Sequence, residues 1–593
     1  MYGLDVTVTA RDYQATALNP PAPAPAAAPA EPSAPDPNRV GVVFVHGIGT
    51  QQPAETFLDW SAPIVRMLTA WRVEHGATPD PVVRSEFSFS GSSQPYLELA
   101  IPAVGEAAAT SWVITEAWWA AQIRAPSLSD AAAYVRHGLP GILRGIRDGY
   151  KVRADLWSDR LDAELATAAA DGTTDSAAQR ELRDRRRWAW IDWLDGIQKW
   201  LTILAYIPAL VLGSLLLAIY APFRLIPIQA IRDAAVLRSA DNFLTTWFGD
   251  LPDVLDDPVQ AANVRARLAE SIDRLVTRMG CGSIVIVAHS GGAIVSFTTL
   301  LDPAYHGLDV QRLVTIGQGL ALGWRLHATG SPGRPPLPDR LTGDLVAARP
   351  TLQWTDVWAS YDPAPAGPIV PPAGVTLKVD SRPVTNRMSI LEDHGGYWDN
   401  DEGFLVPLVR HIDVPRGDAA DSRFYRDSTE RVVRIERRRQ RVAVLALWRW
   451  IAVIGALVPI VGTTLGWALT GGTVGGPAGL GDRIAAWFAT FPGHELITGP
   501  LAFLGGGGTF PGWFEPLGAW LLGTVAIAVV FLVLGIAGVR LWSSWDERER
   551  AIARLERLAP VHRQDVAAVG ALLVVTVGAV AKVLFALCWG GAP

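Results

Sequence analysis

Residues 283–301, SIVIVAHSGGAIVSFTTLL, constrain the fold more than any other part of the chain. Ile284 to Val287 is a β-branched run without polar alternation, the pattern of a strand buried on both faces of a parallel sheet. A turn of small residues, Ala288-His289-Ser290-Gly291-Gly292, then leads into an apolar helical stretch. Strand-like runs recur at 42–45, 85–102, 312–317, 352–359 and 375–379, and amphipathic helical spacing at 52–74 and 253–278. Residues 105–148, rich in Trp and Ala, read as helical. The segment 41–422 is therefore expected to be an α/β domain on a mostly parallel sheet, with a large helical insertion at about 130–280.

The flanks are of another kind. Residues 1–40 contain a Pro/Ala-rich stretch at 18–38 that favours extended chain and buries no core, so a disordered tether is expected there. The first residues, MYGLDVTVTARDYQ, have neither a basic nor an apolar signal-peptide region. Residues 423–593 hold three apolar runs, at 450–469, 517–539 and 566–588, the last interrupted only by Lys582. Each meets the length of about 20 residues that a spanning helix needs. Arg431, Arg434, Arg437, Arg438, Arg439 and Arg441 precede the first run, and five arginines lie in 541–565, whereas Arg483 is the only Lys or Arg in 470–516. The positive-inside rule then predicts a multi-pass cell-membrane protein whose α/β domain faces the cytoplasm.

A further uncharged stretch, 201–223, falls inside the insertion. A single crossing there would put the strands before His46 and Ser290 on opposite sides of the bilayer. A membrane-associated hairpin or lid is expected instead, bent at Pro208 and Gly213 and flanked by Arg185 to Arg187 and nearby tryptophans. Membrane lipids are thus the expected partner. With 52 basic and 58 acidic residues the net charge of -6 gives no general attraction to nucleic acid. Cys281 and Cys588 are too few and too far apart for a disulfide framework, and no metal-ligand spacing or phosphate-binding loop is present, so neither a metal nor a cofactor is expected.

The chemistry lies in four places. Ala288 to Gly292 approximates the G-x-S-x-G elbow, in which small residues beside the serine permit a sharp turn that exposes its hydroxyl; here Ala288 stands at the first glycine. A helix cap is the plainer use of such a serine. Val45-His46-Gly47-Ile48-Gly49 follows the first strand, where an acyl-transfer enzyme needs an N–H aimed at the developing oxyanion; Ile48 and Gly291 are the expected donors, with His46 and Gly47 shaping the loop. Asp362, after a late strand, and His394, in Glu392-Asp393-His394-Gly395-Gly396-Tyr397-Trp398, complete the order Ser, Asp, His. Asp356 and Asp393 are the rival acids, the first disfavoured by its place in an alternating strand. His289 reads as a packing residue, and His306, His327 and His411 show no convincing partner.

These residues together resemble the α/β-hydrolase superfamily, in particular bacterial lipase-like serine hydrolases with an added membrane region. The resemblance covers roughly 41–412 apart from much of 130–280. It implies Ser290 as nucleophile, Asp362 and His394 as the rest of the triad, and an oxyanion hole at the HG turn. The expected activity is hydrolysis of a carboxylic ester with a lipid-like or other apolar acyl group. The alternative is a membrane scaffold or binding protein that keeps the architecture without the catalysis.

Overall fold

A computed structural model describes residues 35–48, 51–86, 94–120, 197, 258–320, 337–359 and most of 361–446. The apolar stretches 201–223, 450–469, 517–539 and 566–588, and most of the Pro/Ala segment, lie outside the described residues. Among the described residues no helix is long and apolar enough to cross a membrane.

Among the described residues eight strands form one sheet: β1 (Asp36–Val45), β2 (Val82–Glu86), β3 (Tyr96–Ile101), β4 (Thr110–Glu116), β5 (Cys281–His289), β6 (Arg312–Ile316), β7 (Gln353–Ala359) and β8 (Val379–Val384). Their order is β2-β3-β4-β1-β5-β6-β7-β8. Only β3 runs against its neighbours, so the class is α/β with a mostly parallel sheet. Among the described residues, the helices α1 (Glu55–Glu74), α2 (Pro258–Thr277), α3 (Gly291–Leu301), α4 (Leu337–Ala348) and α5 (Val406–Asp413) border it.

Strand alternation divides the core into two layers. Val43 and Val45 of β1 point into the layer with Val264, Leu268 and Ile272 of α2 and Phe297 of α3. Val42 and Phe44 enter the opposite layer with Ile64 and Leu68 of α1 and Val409 and Ile412 of α5. Both faces of β1 and β5 are therefore dry, and their continuous β-branched runs follow from that.

Two expectations are corrected. Part of the region read as helical is β4, whose Trp112, Val113 and Ile114 are fully buried between β1 and β3. Trp and the β-branched residues fit a pleated buried surface, and that outweighed the helix-favouring alanines nearby. Secondly, β1 starts at Asp36, within the stretch read as a tether: the Asp36 N–H donates to the Gly280 carbonyl at 2.9 Å, although Pro37 supplies no donor. Of the strand expected at 375–379, residues 375–378 lie outside the described residues; β8 is described at Val379–Val384, on the sheet edge, where Pro383 costs no interior ladder bond. The other edge is β2, exposed at every residue, with a register shift between Val82 and Arg84.

His411, for which the sequence suggested no partner, lies under the sheet and accepts a hydrogen bond at its Nδ1 from Arg312 at 2.8 Å. Burial, and then the charges of Arg382, Arg312 and Arg410, push its pKa down to about 2. Its neutral form therefore stabilises the fold above the unfolded value of 6.5, and that contribution is lost as pH falls from 6.5 toward 2. His411→Gln keeps an acceptor for Arg312 but takes up no proton on unfolding. Between about pH 7.5 and about pH 5, the variant should lose about 2 kcal/mol less stability than the wild type in denaturant titrations. Equal losses in both proteins would refute a neutral buried His411.

Candidate active site

The strand order reverses about β1: the chain fills one side with β2 to β4 and then the other with β5 to β8. In such sheets the loops beyond the carboxyl ends of the strands diverge at this point and leave a crevice. Here the loops after β1, β5, β6, β7 and β8 carry His46 to Ile48, Ser290, Gly317 to Gly319, Asp362 and His394.

Ser290 joins β5 to α3 at φ 53° and ψ -121°, a conformation costly for a residue with a Cβ. Backbone bonds on both sides hold it there: its N–H donates to Ile316 at 3.1 Å, and its carbonyl accepts from Gly319 at 2.9 Å. Small neighbours are a steric requirement. A Cβ on Gly292 would fall inside 3.0 Å of the carbonyl oxygens of Val45 and His46. One on Gly47 would lie 2.8 Å from Ser290 Cβ and 3.3 Å from its Oγ. One on Gly291 would lie 2.7 Å from Ile48 Cγ2 and 3.2 Å from the Ile48 nitrogen, so the loop bearing Ile48 packs against the residue that follows the serine. Ala288, buried in the strand, takes the place of a glycine without obstructing the turn.

Asp362 and His394 meet. The imidazole Nδ1 donates to both carboxylate oxygens, at 2.9 and 3.0 Å, and Asp362 is fully buried while the His394 side chain retains 18% exposure. Burial alone would raise the Asp362 pKa. The His394 ring, the Tyr397 hydroxyl donating at 2.7 Å and the Ala364 N–H at 2.9 Å outweigh it and hold the carboxyl below its usual value. Tyr397 accepts in turn from the Ala359 N–H, and burial followed by the Asp362 charge keeps its phenol protonated. Gly317, at φ 50°, passes so close that a Cβ would lie 2.5 Å from Asp362 Oδ2.

The rival acids serve other partners. Asp356 accepts from Thr315 at 2.8 Å and from the Ile369 N–H at 3.2 Å, and burial pushes its pKa up to about 7. Asp393 accepts from the Arg387 and Ser389 N–H groups and so ties down the turn before His394. His289 donates from Nε2 to the His394 carbonyl at 2.7 Å, its ring 4.5 Å from that of His394. Burial, and then the His394 charge, lower its pKa to about 3, so it packs and orients as a neutral ring.

No protein-family model, curated protein or solved structure matches this chain.

His46, expected from the sequence to shape the loop, is held by residues that the sequence did not single out. His46 donates from Nδ1 to the Gly47 carbonyl at 2.7 Å and accepts at Nε2 from the Trp119 N–H at 3.1 Å. Its ring stacks on Trp119 at 4.7 Å, and the Trp119 indole N–H donates back to the His46 carbonyl. Burial, only partly offset by the Gly47 bond, lowers the His46 pKa to about 4, which suits a neutral ring that both donates and accepts. Glu116, at the end of β4, accepts from the N–H groups of Ala54 and Phe57 and so caps α1 beyond the same loop. Tyr397 had a signal in its place three residues after His394; Trp119 and Glu116 had none, because the strand that delivers them was read as helix. Among the described residues no group of three or more His, Cys, Asp or Glu side chains is placed to hold a metal ion.

Proposed function

We propose that the chain is a membrane-anchored serine hydrolase of the α/β-hydrolase type that cleaves carboxylic esters with apolar acyl groups. One observation carries this reading: a serine held at φ 53° packs against the loop bearing Ile48, and the histidine bonded to the buried Asp362 lies with its ring 4.5 Å from that of His289, the residue before the serine. Each part has plainer uses alone, but together they supply nucleophile, base, orienting acid and oxyanion donors.

In this reading Ser290 Oγ attacks the acyl carbon while its proton passes to His394 Nε2, the nitrogen opposite the one committed to Asp362. The carbonyl π bond opens to an oxyanion that Ile48 and Gly291 stabilise. Collapse expels the alcohol, which takes the proton from His394. Water then repeats the sequence on the acyl-serine, with His394 again as base, and releases the carboxylic acid. Asp362 remains ionised throughout, as its lowered pKa requires. The apolar acyl preference and the cytoplasmic orientation are supported by the uncharged runs 201–223, 450–469 and 517–539 and by the arginine asymmetry about them.

A fluorophosphonate probe tests the reading on the purified full chain in detergent. The expected product is one covalent adduct, which peptide mass spectrometry maps to Ser290. A folded protein that forms no adduct, or forms it elsewhere, overturns the proposal.

A further inference from the structure

The basic run before residue 450 does more than mark topology. Arg431 and Arg434 each pair with Glu402 at 3.0 Å, and Arg438, buried, donates to the Asn386 carbonyl at 3.3 Å. Asn386 Nδ2 donates to the Asp393 carbonyl at 2.9 Å, one residue before His394. The same stretch closes a small apolar cluster in which Val442, Ala443 and Ala446 pack on Tyr361 and Met388. Tyr361 immediately precedes Asp362. Met388, at φ 53°, sits in the turn whose N–H groups at Arg387 and Ser389 hold the Asp393 carboxylate. One helical stretch, 434–443 with its flanks, thus grips both the segment bearing the acid and the loop bearing the base, and a few residues further on the chain enters the apolar run 450–469.

We infer that this stretch is a positioning strut for Asp362 and His394. The inference rests on the serine hydrolase reading. A strained turn at Met388 and a chain of single hydrogen bonds are stiff only while both ends are fixed. Release of the Arg438 end lets the His394 loop drift, and a drift of about 1 Å in a catalytic group costs up to about a hundredfold in rate. Arg438, Asn386 and Met388 touch no reacting atom and are positioning residues.

The test uses the full chain in detergent, with the second-order rate of fluorophosphonate labelling and the hydrolysis of a short-chain nitrophenyl ester as readouts. Arg438→Met and Met388→Ala should each label about tenfold more slowly, with kcat lowered and KM unchanged, while Arg438→Lys, which restores a donor toward Asn386, returns most of the rate. A general loss of folded protein would lower the end-point amount of labelled product and leave the second-order rate constant of labelling unchanged. Where Arg438→Met fails to fold by circular dichroism, Val442→Ala, a milder change in the same cluster, is read in its place with the same expectation. Wild type that labels at Ser290 while folded strut variants label equally fast overturns the strut and leaves the hydrolase reading intact. Wild type that does not label overturns the hydrolase reading, and the strut with it.

Discussion

Asp362→Asn is expected to lower kcat for ester hydrolysis by about 10,000-fold with little change in KM. The carboxylate is surrounded by donors: the His394 imidazole, the Tyr397 hydroxyl and the Ala364 N–H. An asparagine presents one acceptor oxygen and one NH2 group, so wherever the NH2 lies it faces a donor. The least costly arrangement turns it toward His394, which must then accept at Nδ1 and carry its proton on Nε2. That is the wrong tautomer for a base acting on Ser290, and it is wrong in the transition state while leaving substrate binding nearly untouched. Burial adds to the effect, because no solvent reaches Asp362 to take over its role. The measurement is steady-state kinetics beside a thermal melt. A folded variant within about tenfold of wild type would remove Asp362 from the mechanism.

The second large effect concerns packing. Gly292→Ala should destabilise the domain by about 3 kcal/mol, the upper end of what overpacking costs, and abolish labelling of Ser290. The added methyl meets the carbonyl oxygens of Val45 and His46. These belong to the end of a strand paired on both sides and to a residue clamped by Trp119, so neither yields without moving the loop that carries Ile48. The control is Gly343→Ala in α4, where a Cβ meets nothing within 4 Å. A helix-interior alanine there should raise stability by about 1 kcal/mol. A Gly292→Ala protein that melts and labels like wild type would show that the elbow and the HG loop are not in the contact described.

The parts of this molecule that are legible in its sequence are those where one physical demand dominates. β5 and β6 are buried on both faces, so their residues are chosen for apolar bulk and β-branching, and the runs are unmistakable. Asp356 could be set aside as a strand residue because side-chain direction follows parity along β7, and its bond to Thr315 on the neighbouring strand agrees. β4 was obscured because its seven residues lie within a longer Trp- and Ala-rich stretch whose composition resembles a helix. The start of β1 was obscured by Pro37, whose missing donor is tolerable only because Asp36 pairs with the segment before β5. At the site, the order Ser, Asp, His was readable and the bracing was not. Tyr397, Gly317, Trp119 and Glu116 act through contacts between segments far apart in sequence, which no local pattern records.

Among the described residues β2 ends the sheet, and no strand pairs with its outer backbone row. In any concentrated preparation that row is a template on which a second chain can add a strand. Several features resist such growth: the register shift between Val82 and Arg84 breaks the regular ladder, the strand spans only Val82–Glu86, and Arg84 and Glu86 put charge on it. Val83, 60% exposed, is the weak point. Colloidal behaviour should therefore depend on this short edge: substitutions that neutralise Arg84 or Glu86 will turn a guarded margin into an adhesive one long before they disturb the site at the far side of β1.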